Sequence, residues 1–79
     1  MAGLLAVSGV KPVLAYRYLT GEDDAAFCHK VTAALSKGWS LHGHPSYAFD
    51  GKAGVMRCAQ AVVKEVDGPY DATKKLGDL

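Results

Sequence analysis

Apolar residues in the middle of the chain recur at the spacing of one helix face. They stand at i, i+4, i+7 and i+8, namely Phe27, Val31, Ala34 and Leu35. The pattern predicts a helix over about residues 22–37. Thr20 and Asp23 have the placement of a capping box before this helix, and Gly38 predicts a left-handed stop after it.

Three other segments have the composition of strands, with many β-branched and aromatic side chains: residues 13–19, 39–49 and 55–66. Pro45 interrupts the second of them. Because proline cannot donate to a strand ladder, this strand is expected at a sheet edge or bulged near Pro45. Trp39 and Leu41, at its start, are expected to be buried against the helix.

The order of elements predicts the α+β class, as a single βαββ domain. Strand one is expected to pair with strand three, which gives an antiparallel/mixed three-stranded sheet of order 2-3-1 with one helix on one face. The domain is predicted to span residues 13–66. Residues 1–12 are expected to form a flexible tail, and residues 67–79, which are polar and lack periodicity, a disordered one.

Side-chain size predicts which residues face the helix, because side chains alternate across a strand. The odd positions of strands two and three are apolar and are expected to face the helix, so an odd number of residues is expected in the loop between them. In strand one, Leu14, Tyr16 and Tyr18 are expected beneath the helix. The other face would then be open and would present Arg17, Leu19, His42, His44, Cys58, Gln60, Val62 and Lys64.

The charge balance argues against nucleic acid and membrane surfaces. The 79 residues carry 9 basic and 8 acidic side chains, for a net charge of +1. Tyr16 and Tyr18 resemble a base-stacking pair, but the expected burial makes nucleic-acid binding the weaker hypothesis. No stretch reaches the roughly 20 apolar residues of a membrane-spanning helix, and the apolar N-terminus lacks the basic start of a signal peptide.

The cysteines and histidines are the candidates for chemistry. Two cysteines, Cys28 and Cys58, do not make a disulfide framework and indicate a reducing, cytoplasmic setting. His42, His44 and Cys58 are the candidate metal ligands, on the predicted open face. Cys28 is expected to be a small buried residue on the helix side of the sheet, and His29 is expected to point to solvent. Neither can join the other three side chains, so no four-ligand metal site is expected within one subunit. No orienting group marks a catalytic cysteine, so we expect no enzyme, no catalytic residues and no cofactor.

One set of residues resembles a known family: Tyr16-Arg17-Tyr18-Leu19-Thr20-Gly21, Asp24, Phe27, Val31, Leu35, Gly38-Trp39, Leu41, Gly43 and Ala59-Gln60-Ala61-Val62-Val63-Lys64. The chain is similar here to the bacterial domain of unknown function 1737. That resemblance implies a short stand-alone protein or an N-terminal addition to bacterial and phage hydrolases. It implies an accessory or interaction role and carries over no catalytic residue.

The main hypothesis is a non-enzymatic accessory or protein-interaction module with an unidentified protein partner. The alternative is a small-ligand or metal-binding module on the open face. Strand one has no proline after Pro12 to protect its edge, so a weak homodimer is also expected. In that hypothesis the apolar N-terminal tail competes with the second copy for the same surface.

Overall fold

The structure is a computed structural model, and it describes residues 12–79 of the chain. Its strands are β1 (Pro12–Glu22), β2 (Ser40–Asp50) and β3 (Val55–Asp67), and its helix is α1 (Ala25–Ser36). A short 3-10 helix follows at Leu76–Asp78. The predicted N-terminal tail, residues 1–12, lies outside the described residues except for Pro12, which begins β1.

The sheet has β3 at its centre. The strand order is β1-β3-β2, and both outer strands run antiparallel to β3. The predicted α+β class, the order of elements and the order of strands are confirmed. With α1 on one side, the sheet has a covered face and an open face.

The two ends of α1 have different capping signals. Asp24 is the N-cap, and its carboxylate accepts a hydrogen bond from the Phe27 N–H at 3.2 Å. The predicted capping box at Thr20 is wrong, because β1 continues through Thr20 to Glu22. The prediction missed this because Thr20 suits a strand as well as a cap.

The C-terminal end of α1 is a Schellman motif, as the stop at Gly38 predicted. Gly38 has φ 96°, its N–H donates to the Leu35 carbonyl at 3.1 Å, and the Trp39 N–H donates to the Ala34 carbonyl at 3.1 Å. Ala34 and Trp39 are both buried. The turn therefore carries the tryptophan back over the last turns of the helix, as expected.

The hydrophobic core lies on the covered face and consists of Ala15, Leu19, Ala34, Trp39 and Val62. Leu19 pairs with Gln60 and Arg17 pairs with Val62, so odd positions of β1 share this face with even positions of β3. The predicted faces of β1 and β3 are therefore wrong. Only β2 has the predicted parity, since Leu41 pairs with Val62.

Small residues explain the reversed faces. The odd positions of β1 include Ala15 and Gly21, and a Cβ on Gly21 would lie only 3.1 Å from Phe27 Cδ1. The helix therefore packs close to β1 on this side, where bulky tyrosines would not fit. Choosing the larger side chains for the core placed Tyr16 and Tyr18 on the wrong face.

The hairpin between β2 and β3 also differs from the prediction. Its loop has four residues, Gly51–Gly54, because Asp50 pairs with Val55. The predicted odd loop is wrong, since odd positions of β2 pair with even positions of β3. The predicted irregularity near Pro45 is confirmed, because the register shifts between His42 and Ser46.

The side chain of Gln60 compensates for this bulge. Its Nε2 donates to the carbonyls of His42 at 3.3 Å, Gly43 at 3.4 Å and Ala61 at 2.9 Å. Gln60 is itself buried. An amide side chain therefore supplies donors where β2 leaves the strand ladder.

The C-terminal segment, expected to be disordered, contains the 3-10 helix at Leu76–Asp78. Leu76 and Leu79 pack against the core cluster. Lys64 Nζ donates to the Leu79 carbonyl at 2.8 Å. The two leucines supply the apolar area that holds the segment against the covered face. Two isolated apolar residues give no periodic pattern, so the sequence pattern did not predict this contact.

Candidate functional site

The three candidate metal ligands do not share one face of the sheet. His42 pairs with Ala61 on the open face, His44 lies within the bulge, and Cys58 pairs with Tyr47 on the covered side. Cys58 was expected across from His44, and the reversed parity of β3 separates them. Within residues 12–79 no group of three or more histidine, cysteine or acidic side chains could hold a metal ion.

Cys58 lies in a setting that disfavours its thiolate. Burial raises the pKa of the Cys58 thiol, and the negative charge of Asp23 raises it further. The same carboxylate accepts a hydrogen bond from Tyr47 Oη at 2.5 Å. Because the thiolate is the nucleophilic form, this environment suits a structural cysteine better than a reactive one. Cys28 is exposed, which corrects its expected burial.

The open face carries an apolar stripe along β1. Leu14, Tyr16 and Tyr18 are exposed by 64%, 50% and 52%, and we name these three residues the β1 stripe. Tyr18 pairs with Ala61 of β3, which is buried although it lies on the open face. Tyr18 Oη lies 3.4 Å from Ser46 Oγ on β2. The stripe is a contiguous apolar surface of the kind that marks interaction sites.

Acidic side chains border the β1 stripe. Register places Glu22, Glu65 and Asp67 on the open face, and Asp50 lies there in an ion pair with Arg57 at 3.2 Å. Acidic groups therefore outnumber basic ones around the stripe. The expected reason to reject nucleic acid, burial of the tyrosines, is wrong, but this charge disfavours a phosphate backbone.

The helix covers only part of the covered face and leaves much of β2 exposed. A helix is about 10 Å wide and strands lie about 4.8 Å apart, so one helix covers two strands. On β2 the side chains of Leu41, Tyr47 and Phe49 therefore remain mostly exposed, and Leu35 on the helix is 41% exposed. The predicted burial beside the helix is confirmed for Trp39 and wrong for Leu41.

Sequence reasoning missed the β1 stripe, although a signal for it was present. Ala59 and Ala61 suggested a close helix approach over odd positions of β3. The same argument, applied to Ala15 and Gly21 in β1, would have placed these two residues beneath the helix. It would then have predicted the tyrosines of β1 on the open face. Pairing then places Val62 on the covered face, where it is fully buried in the structure.

Comparison with family models identifies the chain's family. A model described as Domain of unknown function (DUF1737) matches residues 13–65. The chain belongs to this family, which confirms the resemblance noted in its sequence. The search of curated proteins found no match, and neither did the search of solved structures. Across residues 12–79, no helix has the length and apolar character needed to cross a membrane.

Proposed function

We propose that the domain is a non-enzymatic accessory module that binds protein through the β1 stripe. The observation that carries the proposal is the exposure of Leu14, Tyr16 and Tyr18 side by side on one strand. Tyrosine is enriched at protein interfaces because it combines a large apolar ring with a polar tip. The acidic border of the stripe favours a partner whose rim is basic.

The first partner we propose is a second copy of the chain, paired through the outer edge of β1. This strand is 11 residues long and lies at one edge of the sheet. The other edge, β2, is interrupted by its bulge and by Pro45. Long, regular edge strands are templates for pairing, so β1 is the better candidate for a weak homodimer.

Two features select the register of this pairing. Lys30 Nζ donates to the Thr20 carbonyl at 2.6 Å. The carbonyl at the C-terminal end of β1 is therefore already hydrogen-bonded within the chain. An antiparallel pair centred on Arg17 would set two guanidinium groups opposite each other, which is unfavourable. A pair centred on Tyr16 avoids both and brings Leu14 opposite Tyr18 of the second copy. The two stripes then join into one apolar surface.

Sedimentation equilibrium of the full chain tests the proposal. The wild-type chain is expected to dimerise weakly, and Tyr16→Lys is expected to abolish dimerisation. Tyr70→Lys is the matched control, because Tyr70 is an exposed tyrosine outside the sheet. Loss of dimer in both variants would indicate a general charge effect rather than the β1 stripe.

A chain that begins at Pro12 completes the experiment. If both lengths remain monomeric at millimolar concentration, the homodimer proposal is wrong. If only the shorter chain dimerises, residues 1–11 compete for the stripe within one molecule. The stripe then remains the interaction surface, but its occupant is a segment of the same chain.

The setting of the module is also a proposal. The family resemblance favours a bacterial or phage protein. Two unpaired cysteines, one of them exposed, favour a reducing compartment such as the cytoplasm. Labelling of Cys28 by a thiol reagent in intact cells, before and after an oxidant, would test this location.

A further inference from the structure

A basic cavity lies on the covered side of the sheet, beside the C-terminal half of α1. Its volume is about 440 Å³, within the range of small-molecule sites. The charged side chains that line it are Arg17, Lys30, Lys37, Lys75 and Asp78. Four cations and one carboxylate give the lining a net charge of +3. The chain as a whole has a net charge of only +1, so the cavity concentrates positive charge.

Arg17 is held in place at this cavity. Its guanidinium carbon lies 5.3 Å from the centre of the Trp39 ring, a cation–π distance. On the C-terminal segment, a Cβ added to Gly77 would lie 3.5 Å from Arg17 Nη2. The guanidinium is therefore close to the buried indole and to the Gly77 backbone. A group held in this way loses little freedom when it binds a ligand.

Lysine contacts strengthen the positive character of the cavity. Lys30 Nζ donates to the Thr20 carbonyl at 2.6 Å, and an ammonium group has three donors, so this bond leaves donors for a ligand. Lys64 Nζ donates to the Lys37 carbonyl at 2.7 Å and offsets the negative end of the helix dipole. Within residues 12–79 the ion pair found is Arg57–Asp50, so no carboxylate pairs with the cavity's cations there.

We propose that this cavity binds a small molecule that carries adjacent phosphate groups. The planar guanidinium of Arg17 can bind two phosphate oxygens at once, while lysines act as point charges around them. A lining charge of +3 suits an anion with more than one negative charge. The cavity is remote from the β1 stripe, on the other side of the sheet, so this proposal stands independently of the proposed protein interaction.

The C-terminal segment is part of the site. Lys75, Gly77 and Asp78 lie beyond the family match, which ends at residue 65. Leu76 and Leu79 anchor the segment to the core. The family domain therefore supplies one wall of the cavity, and the chain's C-terminal segment supplies the other.

Titration of the full chain with pyrophosphate tests the proposal, followed by tryptophan fluorescence and by calorimetry. Trp39 is the single tryptophan, and it lies under Arg17, so its emission reports on the site. We expect a saturable change with one pyrophosphate per chain. Losing one charge-assisted contact, in Arg17→Gln or Lys75→Gln, should weaken binding about tenfold.

Lys52→Gln is the matched control, because Lys52 lies in the hairpin loop outside the cavity lining. It removes the same charge and should leave the affinity unchanged. Lys75 is exposed and lies outside the family domain, so its variant keeps the proposal testable if Arg17→Gln fails to fold. Equal weakening by Lys52→Gln would show that binding is only diffuse ionic attraction.

Two further results would overturn the proposal. One is the absence of saturable binding at millimolar pyrophosphate in low salt. The other is equal affinity for citrate, which would show that the cavity accepts any compact polyanion. A preference for pyrophosphate over both inorganic phosphate and citrate is the result expected for adjacent phosphate groups.

Discussion

The two faces of the sheet contain the same kinds of residue in different roles. On β1, Leu19 is 5% exposed beneath the helix, whereas Leu14 is 64% exposed on the open face. Trp39 is buried on the covered side, whereas Tyr16 and Tyr18 are half-exposed on the open face. The buried set is mostly small, and the exposed set is mostly aromatic. In this domain, close helix packing selects small residues, and the large rings remain available for contacts with other molecules.

The largest expected difference between the two faces is the loss of unfolding free energy when an aromatic residue is replaced by alanine. Trp39→Ala should cost about 3–5 kcal/mol of unfolding free energy, because it empties a fully buried site. Tyr18→Ala should cost below about 1.5 kcal/mol, because only half of that side chain is buried. Urea unfolding measures both. Similar losses would show that the open face is already part of the folded core.

The two leucines of β1 give a closer comparison, because residue type and strand are the same. Leu19→Ala should cost about 2–5 kcal/mol. Leu14→Ala should cost below about 1 kcal/mol, since most of its surface stays in water. Urea unfolding of the two variants at a low protein concentration, where dimers dissociate, gives both values. A larger loss for Leu14→Ala would reverse the assignment of the faces.

A pair of glycines tests the turn that places Trp39 on the covered face. Gly38→Ala should cost about 1–2 kcal/mol, because an L-residue is strained at its left-handed φ. Gly51→Ala is the control, since Gly51 lacks a positive φ and the nearest atom to its added Cβ would be 3.9 Å away. The melting temperature of the Gly51→Ala control should be unchanged or slightly raised. Equal effects would exclude the Schellman geometry as the cause.

The smallest expected effects are in pH dependence. Backbone hydrogen bonds, chiefly from Ala53, and Arg57 lower the pKa of Asp50 below 3.8. Its stabilising contribution should hold above pH 3.8 and disappear as the pH falls through the lowered pKa. The hydrogen bond to Asp23 raises the pKa of Tyr47 above 10.0, so its contribution should hold below pH 10.0 and disappear as the pH rises through the raised pKa.

Melting temperatures across pH check these signs in two variants. Asp50→Asn should flatten the acid side of the profile, and Tyr47→Phe the alkaline side. Tyr47 is exposed and the Asp50 side chain is one-third exposed, at 33%, so solvent screens both groups and each effect should be small. A change on the opposite side of the profile in either variant would contradict the assigned hydrogen bonds.

Much of the fold followed from local patterns. Gly38 predicted the helix stop, Pro45 predicted the irregular edge strand, and the βαββ order predicted the sheet. The sequence did not correctly predict which strand positions face the helix. The strands have apolar residues at both odd and even positions, and the choice by side-chain size was wrong for β1 and β3. The β1 stripe was missed for that reason. The basic cavity could not be predicted, because it forms only when Lys75 and Asp78 pack beside Arg17 and the helix.

The bulge closed by Gln60 has a consequence for the order of folding events. It divides β2 into Ser46–Asp50, which pairs across the short hairpin loop, and Ser40–His42, which pairs with residues about twenty positions away. Closing a short loop costs less chain entropy, so the hairpin half should form first. Pairing should then pause at the bulge until the Gln60 amide reaches the carbonyls of His42 and Gly43. We expect Gln60→Ala to slow refolding more when the probe is an amide of Ser40–His42 than when it is one of Ser46–Asp50. Pulsed hydrogen exchange would resolve the two halves.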